Sequence, residues 1–382
     1  MKVEQLIKLI PQKDLEFLSA ETSVDFQVKK LRGITVFKLI LFSMLNSNKP
    51  SLRVMEAFFM SAQFRNFAGI DNLNTKFNSI RDRISNINSD FFEKIFESIF
   101  KRYNAYLKEQ TAISKVDSTF ISISSKLVDW GMINGSGPNL KHIKFTISLK
   151  GSLPCSVQIY KTQEFVNENI ALPDAILKNK FLKESVIVFD RGLQTRKKYH
   201  EFSESNILFV GRVKAGIVYQ TIKQRKAPKS TKNDSIVIIE DIEANLYIDG
   251  KLTDTPFRII KAKIKLSGEL LYLVTNFFDA SAFEITSIYK QRWEIEIFFK
   301  FLKQHLNLNH IVSRNENAMK VMIYMTLILA ILIIVYKKEN KIASYKIAKL
   351  KFEIELDNLM LKEIVKLCGG NPNKAKHLWI TS

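Results

Sequence analysis

The sequence predicts an α/β protein: an N-terminal helical domain, then a mixed core of strands and helices interrupted by a β-rich insertion. Three observations carry this. Up to about residue 108 apolar residues recur every three or four positions, with no sustained alternation. From residue 112 the pattern changes to short β-branched runs bounded by turn residues. Residues 213–276 then run strand after strand, a stretch too long for a loop.

In residues 1–108, Leu31, Ile34, Phe37, Leu41 and Met44 make one helical stripe. Phe91, Ile95, Ile99 and Tyr103 make another, on a helix whose expected N-cap is Asp90, and Ser51 after Pro50 marks a further helix start. Basic residues gather at Lys29, Lys30 and Arg32 and again at Arg81, Arg83, Lys101 and Arg102. The region reads either as a bundle that grips nucleic acid or as a packing domain with solvated lysines.

Residues 109–212 form the first part of the core. Runs at 112–124, 143–150 and 155–161 read as three consecutive strands, with turns at Asn134–Pro138 and Gly151–Pro154. A helix over Asp174–Lys180, a buried strand at 185–190, a helix from Arg191 and a strand at 206–212 follow. That order is the order of a ribonuclease-H-like core, parts of which other α/β folds share. Asp117 lies inside the first run, where a charge is costly to bury unless paired or bound to metal; the plain alternative is an outward-facing residue. Asp190 closes the buried run, where such a strand opens onto a functional edge; the plain alternative is an N-cap for the helix after it.

Residues 213–276 hold the β-rich insertion, in which Asp249-Gly250 is a tight hairpin signal and Lys223–Lys232 an exposed basic loop. Residues 277–338 complete the core. At about 100° per residue, Tyr289, Arg292, Glu296 and Lys303 share an arc of roughly 60° on one helix. Ile288, Ile295, Phe298, Phe299 and Leu302 make its buried side. A carboxylate is thereby set beside two cations and a phenol. Glu294, roughly 200° round from Glu296, is the less favoured acid. The run Val321–Tyr336 holds 16 residues without a charge, short of the roughly 20 that span a bilayer. It is expected as a buried helix, a membrane-associated protein being the competing reading. Residues 339–382 read as a basic helical tail containing Trp379.

Composition bounds the partners. Fifty-eight Lys and Arg against 38 Asp and Glu give a net charge of +20, which points to a polyanion because phosphate neutralisation is the main sequence-independent source of nucleic-acid affinity, the plain alternative being a solvated basic surface. An apolar content of 46% excludes a disordered chain. With only Cys155 and Cys368 there is neither a disulfide framework nor a Cys-rich zinc site. Lys8 and Pro11 break the N-terminal apolar run before a secretory segment forms, so a cytoplasmic location is expected. Two aspartates and a glutamate from separated segments, without a conventional nucleophile, suit a site for two divalent ions acting at a phosphodiester.

The spacing Tyr289, two residues, Arg292, three residues, Glu296, six residues, Lys303 resembles the signature of the insertion-sequence-four (IS-four) family of DDE transposases. VDST around Asp117 and VFDRG around Asp190 resemble that family's first and second Asp motifs, and the likeness covers most of residues 112–305. It implies that Asp117, Asp190 and Glu296 are catalytic and ligate two Mg2+ ions, with Mn2+ as a substitute. It implies that Tyr289, Arg292 and Lys303 bind DNA phosphates. The expected reaction is cut-and-paste transposition: double-stranded DNA bound at terminal inverted repeats, cleaved and joined to target DNA by a homodimer, nucleoid-associated and away from membranes. A stand-alone nuclease of the same fold, or a catalytically inactive DNA-binding protein derived from a transposase, are the competing readings. Trp130 and Trp293 are expected in the core rather than in base flipping.

Overall fold

The computed structural model describes residues 10–374 apart from 48, 72, 109–111, 125–129, 136–139, 183, 229–234 and 311. Residues 136–138 of the expected turn, 229–232 of the basic loop and Trp379 therefore lie outside the described residues. The chain divides into two compact units, a helical one from residues 1–108 with 300–382 and a sheet unit from 109–299.

The helical unit opens with α1 (Gln12–Glu21), α2 (Gly33–Asn46), α3 (Leu52–Met60), α4 (Ala62–Ala68), α5 (Phe77–Asn86) and α6 (Ser89–Leu107). Ser51 caps α3, its Oγ accepting the Val54 N–H at 3.2 Å. The cap of α6 is Asn88, whose Oδ1 accepts the Asp90 N–H at 3.0 Å. Asp90 instead lies in the first turn, where a negative charge suits the helix's positive end. Phe37, Leu41, Met44, Phe91, Ile95, Ile99 and Tyr103 are all buried, so both predicted stripes face a core.

In the sheet unit β1 (Ile113–Ser124), β2 (Leu140–Lys150) and β3 (Leu153–Tyr160) run antiparallel. After α7 (Glu168–Lys178), β4 (Val186–Phe189) pairs parallel with β1; after α8 (Arg196–Glu204), β5 (Phe209–Arg212) pairs parallel with β4. Then β6 (Tyr219–Gln224), β7 (Ile236–Ile248), β8 (Lys251–Ile264) and β9 (Leu270–Thr275) extend the same sheet, joined through β9 against β5. The strand order is β3-β2-β1-β4-β5-β9-β8-β7-β6. Strand alternation separates two packing faces. Val186 and Val188 meet Ala282 and Ile285 on one face, while Phe189 stacks with Tyr199 and Phe209 on the other. Gly211 is required beside that stack, because a Cβ there would lie 2.3 Å from Phe189 Cε2. At Asp249 and Gly250 φ is 50° and 78°, the paired positive values a two-residue hairpin of this hand demands. Between β7 and β8, Arg258 and Asp241 form a buried bidentate pair with both contacts at 2.7 Å.

Next come α9 (Ala282–Lys290), α10 (Trp293–His305), α11 (Glu316–Glu339) and α12 (Tyr345–Leu367). The chain of α10 passes from one unit into the other. By length and composition α11 could cross a membrane, but 89% of its most apolar window is buried in the protein. It is apolar all round and is covered by α2, α5, α6 and α12 of its own unit. This need for cover on every side groups residues 300–338 with the first 108 residues, whereas the sequence pattern counted them with the strands.

Candidate active site

Asp117 sits in the middle of β1, half-buried, opposite Ile147 of β2. Its Oδ1 accepts the Ser118 backbone N–H at 2.8 Å. Asp190 follows the last residue of β4, and the next helix begins only at Arg196, so it is not the cap of that helix. Glu296 lies in the first turn of α10. Sheet order explains the first two positions: β1 and β4 are adjacent and parallel, so a residue within β1 and one just beyond β4 come to the same region.

The helix expected to run through Tyr289 and Lys303 is broken. α9 ends at Lys290, and the turn through Gln291 and Arg292 is tightened by bonds to the third residue back, Arg292 N–H to Tyr289 O at 3.0 Å and Ile295 N–H to Arg292 O at 3.1 Å. The turn nevertheless brings three of the four signature side chains together. The Arg292 Nη1 meets Glu296 Oε1 at 2.7 Å, and its guanidinium carbon lies 5.9 Å from the Tyr289 ring centre. The Tyr289 hydroxyl donates to Asp190 Oδ1 at 3.2 Å. Lys303 belongs to the part of α10 in the helical unit, where burial lowers its ammonium pKa. Ile295, Phe298, Phe299 and Leu302 are buried as the spacing predicted.

The electrostatics tie the acids to one another. Burial pushes the Asp117 carboxyl up to about 7, opposed by the Ser118 N–H; the Glu168 and Asp190 carboxylates push it further up while Arg292 pulls it down. Asp190 and Glu296 act in turn on Arg292. Tyr289 is pushed up to about 12 by burial and by Asp190, so its hydroxyl stays a donor at neutral pH. Arg292 is itself nearly buried, and its Nε has no hydrogen-bond partner among the described residues. A buried donor of this kind beside an ion pair is one an incoming anion can satisfy.

The donor chemistry, the carboxylates of Asp117, Asp190 and Glu296, fits hard divalent cations. The side-chain arrangement is a paired one, however: among the described residues no group of three His, Cys, Asp or Glu is set to hold a metal ion. Glu296 is engaged by Arg292 instead.

Three features of the site were not legible in the sequence. Glu168, at the start of α7, accepts from the Ser118 hydroxyl at 3.1 Å and pairs with the buried Lys144 at 3.0 Å. Glu294, on the other side of α10 from Glu296, pairs with Lys115, a lysine of β1 that is 1% exposed. Trp293, expected in a core, is 60% exposed, because the turn before α10 directs it outward.

A family model described as the transposase DDE domain matches residues 109–332. A putative transposase, y4zB, of Sinorhizobium fredii (strain NBRC 101917 / NGR234) is 27% identical over 231 residues, 59% of this chain and 61% of that protein. A probable transposase for insertion sequence element IS5377 of Geobacillus stearothermophilus is 24% identical over 248 residues, 63% and 62% of the two chains. A putative transposase for insertion sequence element IS4SA of Synechocystis sp. (strain ATCC 27184 / PCC 6803 / Kazusa) is 30% identical over 229 residues, 58% and 59%. The chain thus spans about three fifths of the length of each of these relatives.

Proposed function

This chain belongs to the transposase DDE domain family, and we propose that it binds the terminal inverted repeats of an insertion sequence, cleaves the DNA there and transfers the ends to target DNA. One observation carries the reading. Arg292 pairs with Glu296 at 2.7 Å, is acted on by Asp190 and itself acts on Asp117, although these acids, from α10, the end of β4 and β1, are far apart in sequence. We read β3-β2-β1-β4-β5 as a ribonuclease-H-like core and β6 to β9, within residues 213–276, as its insertion, supported by the two antiparallel and two parallel pairings of the first five strands.

Asp117, Asp190 and Glu296 would hold two Mg2+ ions, or Mn2+ in their place. Such ions, when bound, activate water or a 3′-hydroxyl and stabilise the leaving oxygen in an in-line displacement. The chain's own groups do the rest. Arg292 exchanges Glu296 for a phosphate oxygen, for which its planar fork and its unpartnered Nε are suited, and so frees the carboxylate. Tyr289 keeps Asp190 oriented while its hydroxyl remains a donor. Lys303 adds positive charge for the DNA backbone. Strand transfer by a homodimer in the cytoplasm, at the nucleoid, completes the proposal.

The test is cleavage of a labelled duplex carrying the element's terminal repeat, with Mg2+ or Mn2+, by the native chain and by Asp117→Ala, Asp190→Ala and Glu296→Ala. A nick at the element boundary from the native chain alone is the expected result. The pairing of Glu296 with Arg292 favours a second reading, a catalytically inactive DNA-binding protein. That reading takes over if all four chains bind the repeat and none cuts. A stand-alone nuclease would cut but not join a 3′-end to target DNA.

A further inference from the structure

We propose that Glu168 is a positioning residue that braces the segment carrying Asp117 against the segment carrying Asp190. The proposal rests on the transposase reading of the site. Both carboxylate oxygens of Glu168 are committed. Oε2 accepts from the hydroxyl of Ser118, the residue next to Asp117, at 3.1 Å, and Oε1 meets Lys144 Nζ at 3.0 Å. The side chain of Lys144 is fully buried and is held in place by the Phe165 and Val166 carbonyls at 3.0 and 3.1 Å. The Ser118 hydroxyl is also fixed by Thr146 at 2.8 Å, so the Glu168 carboxylate docks onto a rigid patch of the sheet.

The same turn of α7 holds the second segment. Gly192, two residues after Asp190, packs so closely on Glu168 that an added Cβ would lie 3.1 Å from its Cγ. The neighbouring Asn169 accepts from the backbone N–H groups of Gln194 and Thr195 at 2.7 and 3.0 Å. One helical turn therefore fixes the chain on either side of the acid pair, through Glu168 on β1 and through Glu168 and Asn169 on the loop after β4. Both oxygens of Glu168 being occupied, its role is to set the spacing of Asp117 and Asp190, not to touch the reacting atoms.

The experiment compares the full-length native chain with Glu168→Gln, Asn169→Ala and the double variant Glu168→Ala/Lys144→Met, which removes the buried cation together with its partner so that the fold survives. Two readouts are taken: binding of Mn2+ alone, followed by the loss of its free-ion resonance signal, and the Mn2+ concentration needed for half-maximal nicking of the terminal-repeat duplex. Asp117→Asn is the control for the reading itself. Outer residues that orient metal-binding groups cost about 10- to 100-fold in affinity when removed. That weakening is expected for the double variant, with a smaller one for Asn169→Ala. Glu168→Gln, which keeps the Ser118 hydrogen bond, should recover most of the native affinity. Native Mn2+ dependence in the double variant and in Asn169→Ala overturns the proposal. A loss in Glu168→Gln as large as in the double variant overturns it too, by making Glu168 a charged participant. If the native chain and Asp117→Asn both fail to bind Mn2+ and to cut, it is the transposase reading that has failed, and this proposal falls with it.

Discussion

Lys115 of β1 donates to Glu294 of α10 at 2.8 Å and to the Gly151 carbonyl at 2.9 Å, so the strand that carries Asp117 is pinned to the helix that carries Glu296. The two ends of this pair differ: Lys115 is 1% exposed and Glu294 half-exposed. Removing one partner of a pair is expensive where the survivor is buried and cheap where water can take it over. Glu294→Ala should therefore lower stability by on the order of 2–3 kcal/mol, and Lys115→Met by about 1 kcal/mol or less. Urea unfolding of the two variants measures the difference; equal losses would show that the helix is not held this way.

The Asp117 carboxyl, held up to about 7 mainly by burial, fixes the sign of a pH effect. An unfolded aspartate titrates near pH 4. Below that pH the group is protonated in both states and costs nothing. As the pH rises the folded chain keeps a proton that the unfolded chain has released, so stability falls up to about pH 7 and then levels off. Asp117→Asn should match the native chain at pH 4 and exceed it at pH 8 by a few kcal/mol at most. Parallel stability curves for the two chains over that range would refute the assignment.

Gly211 faces the Phe189 ring with no room for a side chain. Gly211→Ala should cost about 1–3 kcal/mol through overpacking, seen as a lower thermal midpoint. Adding Phe189→Leu should return part of that loss, and a double variant no better than the single one would place the strain elsewhere.

Trp293 stands 60% exposed beside Arg292. Trp293→Ala should leave the midpoint almost unchanged, within about 0.5 kcal/mol. If the side chain stacks on a displaced base, the same change weakens binding to a single-stranded overhang by about 1–3 kcal/mol, and Trp293→Phe retains most of it. Equal affinities for native and Ala variants in a fluorescence titration would leave Trp293 outside the DNA contact.

The features that sequence made legible are those written in short-range pattern. The Asp249-Gly250 hairpin, the buried strand at Val186–Phe189 and the charge-free run Val321–Tyr336 within α11 each follow from residues adjacent in the chain. Partners across elements leave no such trace. Nothing in the run around Glu168 points to Lys144, and a lysine in β2 reads as solvated until the Phe165 and Val166 carbonyls are found around it. The break after Lys290 was equally hidden, because Gln291, Arg292 and Trp293 include neither Gly nor Pro and the interruption is made by backbone bonds alone.

Because α11 is the inner wall of a unit that also contains α2, α5 and α6, that unit is finished late. The first six helices leave the ribosome roughly 230 residues before α11 is complete, a delay on the order of ten to fifty seconds at ordinary rates of synthesis. Throughout that interval the faces of α2, α5 and α6 that α11 covers lack that partner, although α2 already has α3 and α4 to pack on. A message cut short before Glu316 would thus yield sticky, half-built product, and chaperone demand should be written into the gene's order of helices.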